Sequence, residues 1–375
     1  MRLLLALVFL GAAFGEEWNL IWQDEFDILD PDNWEHEVTA WGGGNGEFQV
    51  YTPDQENSYI RDGVLFIKPT LLPENINPAT GEPFGEDFLT NGLLDLKELY
   101  GNCTDFDPEN NCVRRGSESS IPPTMSARLR TYQRFAFCRG RAELRAKMPR
   151  GDWLWPAMWM LPEEGVYGGW PMSGDIDIAE SIGNEDLKFA DSGDDIGMQR
   201  MKATTNWGAT FDQNRNHLTL VHRLNFTEDF ANYFHDYVIE WDENAIRWFL
   251  DGELILSAPD PPANEQDNFN FFDFGAPWAE GTTNPWEEAS QMAPFDQDLH
   301  FILSVAVGGV GGYFPDDVIN RGDNAVFGKP WNNTESQVDA MWNLWDARDR
   351  WLWTWEGEDA AMQVDYIRVY QKAEE

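Results

Sequence analysis

Short runs in which apolar and polar side chains alternate recur along the 375 residues, as in Val64 to Lys68, Ser126 to Tyr132, Arg139 to Lys147, Tyr237 to Glu240, Ala245 to Leu250, His300 to Val307 and Met362 to Tyr370. Successive side chains of a strand point to opposite faces, so this period of two marks strands with one face buried. The runs are rich in Val, Ile, Phe, Tyr and Trp, and Gly, Pro, Asn and Asp separate them. That predicts an all-β sandwich or barrel of antiparallel strands. Helical spacing is scarce; Glu335 to Trp345 predicts a short surface helix. Gly42 to Gly44 and Gly308 to Gly312 read as tight turns, because no lysine and no helix start follows to make a phosphate cradle. The acidic, proline-bearing stretch from Pro73 to Asp87 has apolar segments on both sides and reads as a surface loop. With no linker and no internal repeat, residues 16–375 are expected to form a single domain.

The first residues have a different pattern. Arg2 is followed by an apolar run from Leu3 to Ala13 and small residues to Gly15. A positive start, about 7–15 apolar residues and a small-residue exit predict a secretory signal over 1–15. The run is shorter than the roughly 20 residues of a membrane span, and no later stretch is longer, so a secreted, membrane-free and monomeric protein is expected. Asp and Glu outnumber Lys and Arg by 66 to 26, for a net charge of −40. Such a field repels nucleic acid, anionic membranes and sulfated polysaccharides, leaving neutral or cationic partners. The 19 Trp suit either sugar-ring stacking or core filling. Cys103 and Cys112 bracket a polar, turn-rich loop and are expected to pair in an exported protein. Cys138, in an alternating run, reads as a buried free thiol. Asn102, Asn225 and Asn332 open glycosylation sequons.

Chemistry concentrates in Trp170 to Glu180, whose last seven residues are Gly-Asp-Ile-Asp-Ile-Ala-Glu. Asp175 and Asp177, two apart, share one face of a strand, while Glu180 would face the other way. A β-bulge around Ile178-Ala179 would turn Glu180 back to the acidic side and leave Ile176 and Ile178 on the core side. Three carboxylates on one face repel one another, which favours a protonated acid beside an ionised base or nucleophile. Glycoside hydrolysis needs such a pair; an acidic edge or a cation site is the plainer reading of the same spacing.

Gly174 to Glu180 resembles the active-site strand of family 16 glycoside hydrolases, usually Glu-x-Asp-x-x-Glu. The resemblance extends over Trp22 to Phe26, Gly42 to Glu47, Arg139 to Glu143, Gly151 to Met160, Phe234 to Tyr237 with Glu240-Trp241, and Val364 to Tyr370. The Cys103/Cys112 insertion and Met292 to Asp296 look like the animal branch of laminarinases and β-1,3-glucan recognition proteins. The resemblance implies a concanavalin-like jelly roll of two antiparallel sheets with a concave cleft for β-1,3-glucan. It implies an endo-acting, retaining mechanism, with Asp175 as nucleophile, Glu180 as general acid/base and Asp177 tuning their protonation, and no catalytic cofactor. Asn45, Trp155, Trp159, Trp170, Asn206 and Trp207 would hold sugar. Asp365, with the backbone of Gly63, matches a calcium site of several relatives.

Two departures stand out. Asp175 replaces the usual Glu, drawing the carboxylate back by about one bond length, and about 1 Å of misplacement can cost roughly 100-fold in rate. Asn206 replaces a usual His and cannot hold a proton near neutral pH. Both leave room for glucan recognition in innate immunity without turnover. Those recognition proteins often carry an extra N-terminal module; here the resemblance begins at Trp18, close behind the expected signal, which favours the enzyme.

Overall fold

Alternation becomes strand almost everywhere it was expected. The computed structural model describes residues 18–259, 270–275, 277–322 and 325–373; the signal expected over 1–15 lies outside them. The clearest case is Gly140–Lys147, where buried and half-exposed positions alternate without a break. Ala142, Leu144 and Ala146 enter the core. On the other side Arg141 pairs with Glu143 and Glu240, and Arg145 with Asp236 and Asp365. Ion pairs this exposed contribute little stability; the buried apolar side sets the register.

Among the described residues two antiparallel sheets dominate. One has eight strands, in the order Glu253–Ala258, Ile246–Leu250, His235–Trp241, Gly140–Lys147, Met362–Lys372, Val64–Ile67 and Ser58–Arg61, with Trp18–Asp24 paired beside Met362–Lys372. The other has seven: Val221–Leu224, Arg200–Asn206, Asp175–Ser181, Leu154–Pro162, Leu299–Val307, Arg128–Arg130 and Glu35–His36. Their facing sides share one core, in which Ala142, Leu144, Ile239 and Ile367 from the first meet Met158, Ile176, Leu303 and Val305 from the second. This is the expected all-β jelly-roll sandwich. Every residue of Leu299–Val307 is buried, because that strand lies near the middle of its sheet and is covered on both sides.

Ser126 to Tyr132 departs from its expectation. The run divides at Ala127 into Thr124–Ser126, in a small sheet with Gln49–Tyr51 and Thr70–Leu71, and Arg128–Arg130, in the seven-stranded sheet. Alternation alone does not reveal that a strand changes partners. The segment between the paired residues Leu71 and Thr124 is an excursion whose two ends are fastened by Leu72 N–H donating to the Pro123 carbonyl at 2.8 Å. Within it Cys103 and Cys112 form the expected disulfide, with Cα atoms 6.1 Å apart. The surface helix forms at Gln337–Asp346, capped by Ser336, which accepts from Asp339 N–H, with Ala340, Met341, Leu344 and Trp345 turned inward. Cys138 is free but only half-buried, short of the full burial expected, and burial pushes its thiol up to about 11.

Replacing Cys103 and Cys112 by Ser should cost about 2–3 kcal/mol, the loop-closure entropy of so short a ring, read as a lower denaturation midpoint. Thiol counting on denatured, unreduced protein should find Cys138 alone.

Candidate active site

The Asp175–Ser181 strand lies between Leu154–Pro162 and Arg200–Asn206. On the first side Trp159 pairs with Asp177 and Met158 with Ala179, leaving Ile178 as the extra residue. On the other side Asp177 pairs with Thr204 and Glu180 with Lys202, three steps against two. The expected bulge is therefore present, and it brings Glu180 to the face shared by Asp175 and Asp177. Ile176, Ile178 and Ala179 sink into the core. Where the ladder is interrupted, the Trp248 indole of the opposite sheet donates to the Asp177 carbonyl at 3.1 Å. Gly174, just before Asp175, has φ +72°, and a Cβ there would come within 2.8 Å of the Phe295 ring. A side chain is excluded both by the left-handed backbone and by the space.

Asp175 and Glu180 are buried and well supplied with donors, and Asp177 between them is half-buried. Asp175 is 5% exposed and Glu180 3%. Trp170 Nε1 donates to Asp175 Oδ2 at 2.7 Å, while Asn206 donates Nδ2 (2.7 Å) and its backbone N–H (3.2 Å) to Oδ1. Asn206 Nδ2 also reaches Asp177 Oδ2 at 3.2 Å. The orientation of that amide is fixed from behind: Asn214 Nδ2 donates to Asn206 Oδ1 at 2.7 Å. Glu180 receives Trp155 Nε1 at 2.7 Å on Oε1 and stands 3.0 Å from Lys202 Nζ through Oε2. Burial raises the Asp175 carboxyl to about 6 despite its donors. Asp177 is pushed well above the usual range, first by burial and then by the charges of Glu180 and Asp175. Asp177 is thereby pushed toward its protonated form, and it shares a hydrogen bond with Glu180.

The aromatic residues expected to hold sugar divide into several roles. Trp170 is 42% exposed and has Phe211, 76% exposed, at its edge 5.4 Å away. Trp155 is stacked on Tyr313 at 3.7 Å and 9°, so one of its faces is already covered. Trp159 lies under the Arg128 guanidinium at 4.7 Å. Asn45 serves its loop: its carbonyl accepts Val310 N–H and Gly311 N–H at 2.9 and 2.8 Å. Beside it Glu47 is buried, its carboxyl raised by burial and bonded by Gln49 and Tyr51. Trp207 requires a correction. It is 0% exposed, its Nε1 donates to the Phe271 carbonyl, and its ring is parallel to Phe274. It fills the core beneath Asn206 and presents no face to a ligand; strand alternation already puts 207 on the side opposite 206.

The calcium expectation fits poorly. Asp365 is paired with Arg145 at 3.2 Å, and Arg145 also holds Asp236. A permanent cation occupies the contact that a metal would need, and Gly63 contributes only a hairpin turn with φ +75°. Among the described residues no group of three or more His, Cys, Asp and Glu is arranged to hold a metal. Of the sequons, Asn102 and Asn332 are exposed and Asn225 half-exposed, all in loops. Lys202, Asn214, Phe211 and Tyr313 were missed by the sequence reading. Period-two counting back from Asn206 reaches Lys202, but no local signal marks the other three.

The raised carboxyl of Asp177 has a consequence for stability. A carboxyl whose folded value lies above its unfolded value binds more protons when folded, so its contribution is full below about pH 4 and is lost as pH rises. Asp177→Asn retains the shape and cannot ionise. Its melting temperature should exceed wild type by at least about 2 °C at pH 7–8, with the gap closing toward pH 4.

A model of glycosyl hydrolases family 16 matches residues 106–276. The chain is 44% identical over 362 residues to a beta-1,3-glucan-binding protein of Penaeus monodon, covering 94% of this chain and 90% of that one. It is 32% identical over 358 residues to beta-1,3-glucan-binding protein 1 of Manduca sexta, of whose length it spans 64%. The fold superposes on the laminarinase from Rhodothermus marinus with a TM-score of 0.55 at 26% identity, over 96% of this chain and 99% of that one. The bulged acidic strand, the sandwich that carries it and these likenesses agree, and the chain belongs to glycosyl hydrolase family 16.

Proposed function

We propose that this protein is a secreted, monomeric endo-hydrolase of β-1,3-glucan that acts by a retaining double displacement. The observation carrying this reading is the bulge at Ile178-Ala179, which gives Asp175 and Glu180 one common face. Asp175, ionised above about pH 6, attacks the anomeric carbon, and Glu180 in its acid form gives a proton to the departing glycosidic oxygen. Water, deprotonated by Glu180, then breaks the glycosyl ester and regenerates Asp175. Asp177, pushed toward its protonated form by burial and by its two neighbours, shares a hydrogen bond with Glu180. Trp170 offers the exposed ring on which a sugar can stack. The names of the relatives, a glucan-binding protein and a laminarinase, support the choice of glucan.

A specific observation favours a second reading, glucan recognition without useful turnover. The nucleophile is one methylene short, and both its oxygens are held by donors, Trp170 on one and Asn206 on the other. Each such bond lowers the charge available for attack, and together they hold the carboxylate toward the sheet.

Reducing-end release from laminarin decides between them. The enzyme reading expects turnover, a fall of about 10²–10⁴-fold in Glu180→Gln, and an acid limb of kcat/KM near pH 6, below which Asp175 is protonated and cannot attack. Laminarin binding without turnover in wild type, together with turnover gained by Asp175→Glu, would establish the recognition reading.

A further inference from the structure

Beyond Glu180 lies a cavity of about 210 Å³ that the reaction just described leaves unused, with Glu180 itself in its wall. The cavity follows the strand register outward from that residue. Glu180 is opposite Lys202, Ser181 is opposite Met201, and His222 of the edge strand is opposite Lys202; all of them line it. Neither Asp175 nor Asp177 does. A glucan with its scissile bond between Asp175 and Glu180 crosses the strand between those two residues. Its main chain therefore passes the mouth of the cavity without entering. What enters must be carried sideways on a sugar ring, along the strand and past Glu180.

The walls suit one neutral sugar, mostly apolar with a few polar groups. Half-buried Phe189 and exposed Leu220 offer surfaces for the C–H faces of a pyranose. Arg200 is half-buried, and among the described residues its guanidinium has no hydrogen-bond acceptor and no ion pair. Donors left so cost free energy that ligand hydroxyls would recover. An anion is disfavoured: the charges of Asp194 and Asp195 act on Arg200, Glu180 holds Lys202 at 3.0 Å, and the chain carries a net charge of −40. An interior ring of a β-1,3-linked chain has free hydroxyls on its second, fourth and sixth carbons. The first two adjoin the linkages, whereas O6 stands clear of the backbone on an exocyclic carbon, so a substituent there reaches furthest aside.

We propose that this cavity takes a β-1,6-linked glucosyl branch, carried on O6 of the ring that lies over Lys202, so that the cleft accepts a branched β-1,3-glucan at the bond it cleaves. Phe189 and Leu220 pack against the branch, and Arg200 and His222 bond its hydroxyls. The inference rests on the glucan reading above and names the form of glucan. These four residues set specificity and take no part in the bond-breaking steps.

The test compares two laminari-oligosaccharides of equal backbone length, one linear and one with a single 6-O-glucosyl branch. Both kcat/KM and calorimetric affinity are measured for wild type, Leu220→Trp and Arg200→Met. Wild type should cleave the branched compound beside its branch at least as well as the linear one. Leu220→Trp narrows the mouth from an exposed position, and Arg200→Met removes the donors. Each should lower kcat/KM for the branched compound about tenfold or more, the loss of one charge-assisted hydrogen bond or of a fitted contact, with the linear compound unchanged. A wild type that cleaves the linear compound but spares bonds beside the branch overturns the pocket. So do variants that treat the two compounds as wild type does, or that lose both alike while melting as wild type. If wild type cleaves neither, tighter binding of the branched compound that both variants lose upholds the pocket and sinks hydrolysis; equal binding of the two sinks both.

Discussion

The site depends on one interruption of a β-ladder. Without the extra residue at Ile178, Glu180 would face the core and the strand would present two aspartates and no distant partner for them. An interrupted ladder exposes a backbone carbonyl in a place water cannot reach, and leaving it unpaired would cost about 1–3 kcal/mol. The Trp248 indole, rising from the opposite sheet, takes the Asp177 carbonyl. The catalytic face of one sheet is thereby fastened to the core side chain of the other, and the geometry of three carboxylates becomes a property of sandwich packing.

Burial then divides the protonation states. Asp177, pressed by burial and by two like-charged neighbours, is pushed toward its protonated form; Asp175, supplied with three donors, ionises at moderately acidic pH. The donors come from both flanks of the strand, Trp170 before it and Asn206 beside it, and Asn214 prevents the Asn206 amide from turning over. Because Asn206 offers the same N–H groups at every pH, titration in this corner belongs to the carboxylates alone.

Much of this was legible in the sequence, and the reason differs from residue to residue. Strands such as Gly140–Lys147 were readable because one face is dry and the other wet. The bulge was readable because Asp175, Asp177 and Glu180 make chemical sense only if something corrects the parity of 177 and 180. Trp207 was misjudged by attending to its residue type and its motif while neglecting that 206 and 207 point opposite ways. The division at Ala127 was hidden because alternation carries on unchanged while the hydrogen-bonding partner changes. Tyr313 reaches the site from a loop distant in sequence, and Asn214, though near Asn206 in the chain, meets it only because the turn after the strand folds back.

The excursion leaves the sandwich and returns to it beside the bond from Leu72 to Pro123, and further bonds, Thr104 to Val38, Ala40 to Asn111 and Tyr100 to Asp54, hold it against its neighbours. Lengthening a closed loop costs only about 0.6 kcal/mol per doubling, and although Leu89, Leu94, Leu96 and Ile121 of this segment enter the core, the turn at Ala79 to Glu82 is exposed. That exposed turn is therefore a natural graft point. Residues can be gained or lost there without shifting the register on which the distant carboxylates depend, while the Cys103–Cys112 bridge fixes the far part of the segment.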